Sequence, residues 1–290
     1  SDINFTLPQA PPYSAQFIPK PSHENIEFYI GSSVWADKDF KGHFYPPKTA
    51  QKNFLVEYAK QFKSVEVNAT RYGTPKASTL ETWKNNVPDD FKFSFKMPQI
   101  ISVRKNLLEK DVLSRLEEFI LAMDSMGKKA GTTFILLQNS FGKERLSELE
   151  GFLKELPQEQ EFAVEIRNPF FNQSLELGEL LHQYNVANVI TDTAGMRNVV
   201  HQMPTNETLY IRFVGNGLVE SDYARMSEWV KQFEIWIKRG IRKFYCLHHQ
   251  PNQHRSYAGY AAKYMIEEIN KTIQGINISV PKLHQSPSLF

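Results

Sequence analysis

Val65-Glu66-Val67-Asn68-Ala69-Thr70-Arg71-Tyr72 alternates apolar and polar residues over four positions and then runs into a polar loop. As a β-strand it points Val65 and Val67 to one face and Glu66 and Asn68 to the other. A carboxylate on the inner face of an otherwise apolar strand costs free energy unless something pairs it. The stretch therefore predicts a strand of a buried sheet, and polar partners for Glu66 on other strands.

Outward from this stretch, strand-like and helix-like segments alternate. Residues 27–31 form a short apolar strand ending in glycine. Residues 49–62 follow, with Phe54, Leu55, Tyr58, Ala59 and Phe62 at helical spacing and Thr49 as a candidate N-cap. Residues 91–96 alternate strictly, Phe91, Phe93 and Phe95 against Lys92, Ser94 and Lys96, while residues 132–138 are nearly all apolar, as in a strand buried on both faces. Further strands are predicted at 162–167, 187–192, 209–214 and 244–249, and further helices at 77–86, 107–126, 144–156, 174–184, 222–239 and 257–273. Strands separated by helices imply parallel βα units. Eight strands in this pattern predict an α/β fold, a TIM-barrel-like (β/α)₈ closed parallel barrel. A doubly wound open sheet is the competitor, but Gly31-Ser32-Ser33-Val34-Trp35 does not supply its glycine-rich dinucleotide fingerprint.

Pro8, Pro11, Pro12, Pro19 and Pro21 mark residues 1–25 as an extended arm, and Pro281, Pro287 and neighbouring Ser and Asn mark 275–290 as a tail. Residues 26–274 show no linker and no repeat and are expected to form a single domain. The 290 residues are 41% hydrophobic and 23% charged, which excludes wholesale disorder. With 34 Lys and Arg against 32 Asp and Glu, the formal charge of +2 advertises neither a nucleic-acid nor a membrane partner. Cys246 is the only cysteine, so no intrachain disulfide or thiolate metal site is available and a reducing, cytoplasmic location is expected. No apolar run approaches the roughly 20 residues that span a bilayer. No basic region followed by an apolar core marks a signal peptide.

In a closed barrel, the alternates that do not face the helices face the lumen. That inward or strand-end set is Glu66 and Asn68, Lys96, Gln138, Glu165 and Arg167, Asp192, Arg212, and one of His248 or His249. It lies toward the C-terminal strand ends, where barrel enzymes keep their catalytic groups. Glu66 and Glu165 are one step deeper than Asn68 and Arg167, which are better placed to meet a ligand. The set is either a network of salt bridges plugging the lumen or a functional pocket. Desolvation roughly cancels the attraction within a buried ion network, which leaves room for the second reading.

Three chemistries fit such a pocket. In the first, Arg167, Arg212 and Lys96 bind an anion, above all a phosphate. Glu66 or Glu165 is then the catalytic acid or base, and Asn68 and Asp192 complete the substrate contacts. The ligand would be a small phosphorylated molecule or a nucleic-acid fragment, with no resident cofactor. In the second, Glu66, Glu165, Asp192 and His248 or His249 hold Mg²⁺ or Mn²⁺, as in a metal-dependent phosphodiesterase or endonuclease. In the third, the two glutamates act as a glycosidase pair; cationic neighbours would keep both ionised and leave no general acid. A non-catalytic nucleic-acid-binding protein is the remaining alternative. Trp35, with His43 in Gly42-His43-Phe44-Tyr45-Pro46-Pro47, offers either a stacking wall for a substrate or an aromatic–proline corner that packs its loop.

Several of these segments, taken in order, resemble the YecE-like family, domain of unknown function seventy-two. They are Gly31-Ser32-Ser33-Val34-Trp35, Phe44-Tyr45-Pro46, Val65 to Tyr72, Trp83, Pro88 through Pro98, Leu136-Leu137-Gln138, Val164-Glu165-Ile166-Arg167-Asn168-Pro169-Phe170-Phe171, Asp192 and Tyr210-Ile211-Arg212. The resemblance implies a TIM-barrel-like fold whose activity is not established. Against the family pattern, Val34 replaces the Gly before Trp, Asn68-Ala69-Thr70-Arg71-Tyr72 replaces Asn-Ser-Thr-Phe-Tyr, and Gln138-Asn139-Ser140-Phe141 replaces Gln-Leu-Pro-Pro. His248-His249 stands where the resemblance implies an Asn pair on the last strand.

Overall fold

The computed structural model describes residues 3–22 and 24–284. Ser1, Asp2 and His23 of the predicted arm, and 285–290 of the predicted tail with Pro287, lie outside the described residues. Eight parallel strands form the sheet: β1 (Glu27–Ser32), β2 (Ser64–Val67), β3 (Lys92–Phe95), β4 (Thr133–Leu136), β5 (Phe162–Glu165), β6 (Ala187–Thr193), β7 (Thr208–Val214) and β8 (Lys243–His249). Their order is β3-β2-β1-β8-β7-β6-β5-β4. Bridges Phe93↔Ala130 and Lys96↔Phe134 join the two ends, with Gly131 N donating to Phe93 O at 2.8 Å and Met97 N to Phe134 O at 2.9 Å. The sheet is thus a closed, TIM-barrel-like cylinder.

The helices are α1 (Phe54–Gln61), α2 (Ala77–Asn85), the single turn α3 (Gln99–Ser102), α4 (Lys110–Asp124), α5 (Leu146–Lys154), α6 (Leu175–Gln183), α7 (Glu220–Arg239) and α8 (Tyr257–Thr272). Each long helix lays a buried stripe on the barrel; on α7 it includes Met226, Trp229, Phe233 and Trp236. Thr49 does not cap α1. Its hydroxyl donates to Pro46 O at 2.8 Å, and a 3₁₀ turn, Gln51–Asn53, leads into the helix at Phe54. One crossover departs from the (β/α)₈ pattern: β6 reaches β7 with only the 3₁₀ turn Arg197–Val199 and no α-helix between. The arm lies against this crossover and against α6. Arg197 donates to Phe5 O at 3.3 Å, Gln202 to Pro8 O at 2.6 Å, and the Phe17 ring occupies the space a side chain on Gly178 would need.

Alternation gives the barrel two apolar compartments. Val65, Val67, Phe93, Phe95, Val164, Ile190 and Ile211 face the helices in the large outer core. Inside, Tyr29, Phe134, Val189, Tyr210 and Tyr245 form a smaller lumenal cluster. Tyr29, Tyr245 and Tyr210 occupy one register row and stack with centroids 4.9 and 5.6 Å apart. One inward step along β7, about 7 Å nearer the C-terminal mouth, the lumen turns ionic at Arg212. Between β1 and β2 the sheet opens enough to admit the Tyr58 hydroxyl, which donates to Ser64 O at 2.8 Å and accepts from Ser32 N at 2.7 Å. Gly31 makes this possible: a Cβ there would lie 1.7 Å from Ser64 O.

Candidate functional site

Arg212 is the centre of the lumenal cluster. On β7 it projects inward while Ile211 and Phe213 face the helices. Its Nε and Nη2 donate to Glu66 Oε2 and Oε1 at 2.9 and 2.8 Å, and its Nη1 donates to Glu165 Oε1 and Oε2 at 3.1 and 2.9 Å. The guanidinium carbon lies 4.7 Å from the centroid of the Phe134 ring beneath it. A two-nitrogen fork on Glu66 and a single nitrogen, Nη1, shared between the two oxygens of Glu165 use the donors of a planar guanidinium nearly in full. Burial raises the pKa of each glutamate, but Arg212, with His249 at Glu66 and Arg167 at Glu165, more than reverses it; Glu66 is held well below the usual carboxylate range and Glu165 below it.

Glu66 and Glu165, expected either to orient the cations or to move protons, and Arg212, expected to bind the ligand, meet here in one buried cluster. All three are buried and bonded to one another, and a carboxylate held ionised by a fixed cation is a poor proton carrier at neutral pH. Their arrangement is a rigid floor. Around it, Asn68 Nδ2 donates to Glu66 Oε1 at 2.9 Å, Arg167 Nε to Glu165 Oε1 at 2.7 Å, and Thr191 Oγ1 to Glu165 Oε1 at 2.7 Å. Asn68, Glu66, Arg212, Glu165 and Arg167 thus form one hydrogen-bonded chain across three strands or their ends.

Three groups on the mouth side of the floor have polar atoms without a partner among the described residues. Arg167 uses only Nε; neither Nη makes a hydrogen bond, and its side chain is 27% exposed. Lys96 makes no ion pair. Its Nζ lies 5.7 Å from the Phe134 centroid, and burial, followed by the charge of Arg212, lowers its pKa against the opposing pull of Glu66 and Glu165. His249 Nε2 lies 3.0 Å from Glu66 Oε2 and 3.3 Å from Arg212 Nη2. The shorter contact, to an ionised acceptor, assigns the proton to Nε2 and leaves Nδ1 as an unused acceptor.

Strand alternation separates the histidine pair. His249 faces the lumen; His248 faces the helices, packs on Phe213 at 5.5 Å and has no hydrogen-bond partner at either ring nitrogen among the described residues. Burial, with a further push from His249, drives the His248 pKa down to about 3, so its ring is neutral.

Asp192 is not in the lumen. It shares the parity of Ile190, so Thr191 takes the inward position expected for it. The Asp192 carboxylate lies under α7, accepting from Arg225 Nη1 at 2.7 Å, from Trp229 Nε1 at 2.6 Å and from Arg197. Trp35 also stands apart, edge-on to Trp83 at 5.4 Å on the outer core, with Phe40, Phe44 and Tyr45 wholly buried beside it in an aromatic–proline corner. Gln138 accepts from Arg145 Nη1 at 3.1 Å instead of entering the site. Glu66, Glu165, Asp192 and a histidine therefore do not converge as a metal set, and among the described residues no group of three or more His, Cys, Asp or Glu is arranged to hold an ion. Thr191, missed as a partner of Glu165, is legible from the parity of Ala187 and Val189 once those are placed inward.

The family described as "Protein of unknown function DUF72" matches residues 29–286. The chain is 30% identical over 288 residues to the UPF0759 protein YecE of Escherichia coli strain K12, covering 90% of this chain and 99% of that one. It is 38% identical over 71 residues to the UPF0759 protein YunF of Bacillus subtilis strain 168, a match covering 24% of each chain. Crystal structures of DUF72 family proteins from Enterococcus faecalis V583 and Thermotoga maritima MSB8 superpose with TM-scores of 0.63 and 0.61. Their identities are 15% and 21%; both cover 84% of this chain and 99% and 98% of their own, and they share its fold. By the family match over residues 29–286 and by 30% identity to a relative across 90% of its length, the chain belongs to the DUF72 family of proteins of unknown function.

Proposed function

We propose that the barrel mouth is an anion-binding pocket for the phosphate group of a small phosphorylated molecule, on which the protein acts as an enzyme. The observation that carries this reading is a surplus of unpaired positive charge above the floor. Arg212, Arg167 and Lys96 face only Glu66 and Glu165, and the Arg167 Nη groups and Lys96 Nζ have no protein acceptor among the described residues. Unpaired donors on a partly buried cation are costly unless a ligand or water satisfies them, and a guanidinium edge beside an ammonium suits phosphate oxygens.

The wider surface agrees. The seven segments leading from a strand's C-terminal end to the following long helix, residues 33–53, 68–76, 96–109 with the single turn α3, 137–145, 166–174, 215–219 and 250–256, carry thirteen Lys or Arg against four Asp or Glu. The helix-to-strand segments at the opposite end, 62–63, 86–91, 125–132, 155–161, 184–186 and 240–242, carry four against five. A chain of net charge +2 thus focuses its positive field on one end of the barrel.

In this reading Arg167 and Lys96 bind the phosphate, Asn68 contacts the ligand beside them, and Glu66, Glu165 and Arg212 hold the floor. His249, oriented by Glu66, takes or gives a proton at Nδ1, the arrangement of a histidine held in one tautomer by a carboxylate. Titration with inorganic phosphate, followed by calorimetry, should show saturable binding that Arg167→Ala weakens about tenfold or more. His249→Asn should leave phosphate binding intact and abolish turnover in a screen of phosphate esters. Absence of saturable binding, or binding indifferent to Arg167→Ala, would overturn the reading.

A further inference from the structure

The exposed large hydrophobic side chains are not spread evenly. Of the eleven among the described residues, Tyr72, Ile100, Leu108, Phe170, Met196, Val219 and Tyr257 follow the C-terminal ends of strands, Ile3 lies in the arm, Leu121, Leu175 and Ile235 lie on helices, and none lies in a helix-to-strand segment. Two of these are aromatic rings on 3₁₀ turns immediately beyond the site. Tyr72, 84% exposed, ends the turn Ala69–Tyr72 after Asn68. Phe170, 52% exposed, lies in the turn Pro169–Gln173, which Asn168 caps by accepting from Phe170 N at 3.1 Å. Each ring has a cation beside it: the Arg71 guanidinium lies 5.5 Å from the Tyr72 centroid, and Lys143 Nζ 5.9 Å from that of Phe170.

The two rings bracket the unpaired charges. Tyr72 follows β2 and Phe170 follows β5; between these strands, β3 and β4 bring Lys96 and the Lys143–Arg145 turn to the rim, and Arg167 stands three residues before Phe170. Three strand spacings place the rings on the order of 14 Å apart along the rim. Exposed aromatic faces gain little in water alone, but they stack bases of any sequence, and an interleaved row of Lys and Arg tracks a phosphate backbone. Charge complementarity selects the occupant: a polyanion with flat apolar faces, not an apolar peptide.

We propose that this rim binds a short stretch of single-stranded nucleic acid, with one phosphate in the pocket at Arg167 and Lys96 and flanking bases stacked on Tyr72 and Phe170. The inference rests on the anion pocket proposed above and names its partner. In a duplex the base faces are covered by stacking on the neighbouring pairs, so duplex is excluded from the stacking part of the site.

Fluorescence anisotropy with a labelled oligothymidylate of about ten nucleotides tests it, alongside the inorganic phosphate titration. Binding should weaken with salt with a log–log slope well below zero, and a duplex of equal length should bind at least tenfold more weakly. Tyr72→Ala and Phe170→Ala, both at exposed positions and checked for unchanged circular dichroism, should each lose about fivefold or more in oligonucleotide affinity. Neither should alter phosphate affinity, and Tyr72→Phe should restore binding. Phosphate binding without oligonucleotide binding would overturn this inference and leave the pocket standing. Oligonucleotide binding indifferent to both ring substitutions, or equal binding of duplex, would overturn it as well. If neither ligand binds, both readings fall.

Discussion

Two clusters of carboxylates and guanidinium groups sit at the C-terminal end of the same barrel, one inside the lumen and one behind β6 under α7. The outer cluster pairs Asp192 and Asp222 with Arg225 and Arg197. Asp222 also accepts from Asn216 N and Leu218 N at 2.7 and 3.0 Å, and Asp192 from the Trp229 indole. Its charges balance. The Nε atoms of Arg197 and Arg225 lack acceptors among the described residues, but their guanidinium groups lie against aromatic rings: Arg197 5.6 Å from the centroid of Phe5, and Arg225 4.4 Å from that of Phe213. The inner cluster has three cations for two carboxylates and opens at Arg167. Burial of charge does not distinguish a site from a brace. Surplus charge with access to solvent is what the proposed pocket has and the outer cluster lacks.

The largest test of that contrast is Arg212→Met. It leaves Glu66 and Glu165 buried without their shared cation and should cost about 3–5 kcal/mol of unfolding free energy in urea. In the parent protein, both carboxylates have depressed pKa values in the fold. Their stabilisation is therefore present above the unfolded carboxylate range, near pH 4, and is lost as pH falls through their folded values. A loss under about 1 kcal/mol would show that the inner cluster is dispensable to the barrel.

Asp192→Asn is the matching probe of the outer cluster. It should cost about 2 kcal/mol by weakening the bonds from Arg225 and Arg197, and it should leave phosphate affinity unchanged. A fall in phosphate affinity at full folding would break the comparison, because the outer cluster would then be part of the site.

The smallest effect is expected at Lys96→Met, with the opposite sign. Burial lowers the pKa of the Lys96 amine, so the unfolded chain binds that proton more readily than the fold does. The folded protein is therefore penalised at neutral pH, and the penalty disappears as pH rises through the unfolded value, near 10.4. The variant should gain up to about 1 kcal/mol at pH 7 while losing phosphate affinity, and its advantage should shrink toward pH 10. Equal or lower stability at pH 7 would mean that Lys96 is paired within the fold.

The strand pattern was legible because most strands carry an apolar alternate that marks the helix side. That parity placed Glu66, Asn68, Glu165, Arg167 and Arg212 around a common lumen. It was misread at Asp192, where two polar residues end the strand and Ile190 was the guide. It gave no guide at His248-His249, since 244–247 are apolar on both faces and only the β7–β8 register decides. The tyrosine row was hidden for a related reason: Tyr29, Tyr210 and Tyr245 read as apolar core and reveal their layer only in three dimensions. The partners of Asp192 were out of reach, because Arg225 lies 33 residues away on a helix face that periodicity assigns to the core.

The helix-less crossover between β6 and β7 bears on the order in which the molecule assembles. Its cover includes Phe5 and Pro8, which bond to residues 192 and 194 positions further along. Contacts of that span form late, after the intervening chain has collapsed, because loop closure must precede any gain from them. The arm is therefore a closing clasp on a nearly finished barrel, and the seam it covers is where native-state hydrogen exchange should first reveal partial opening.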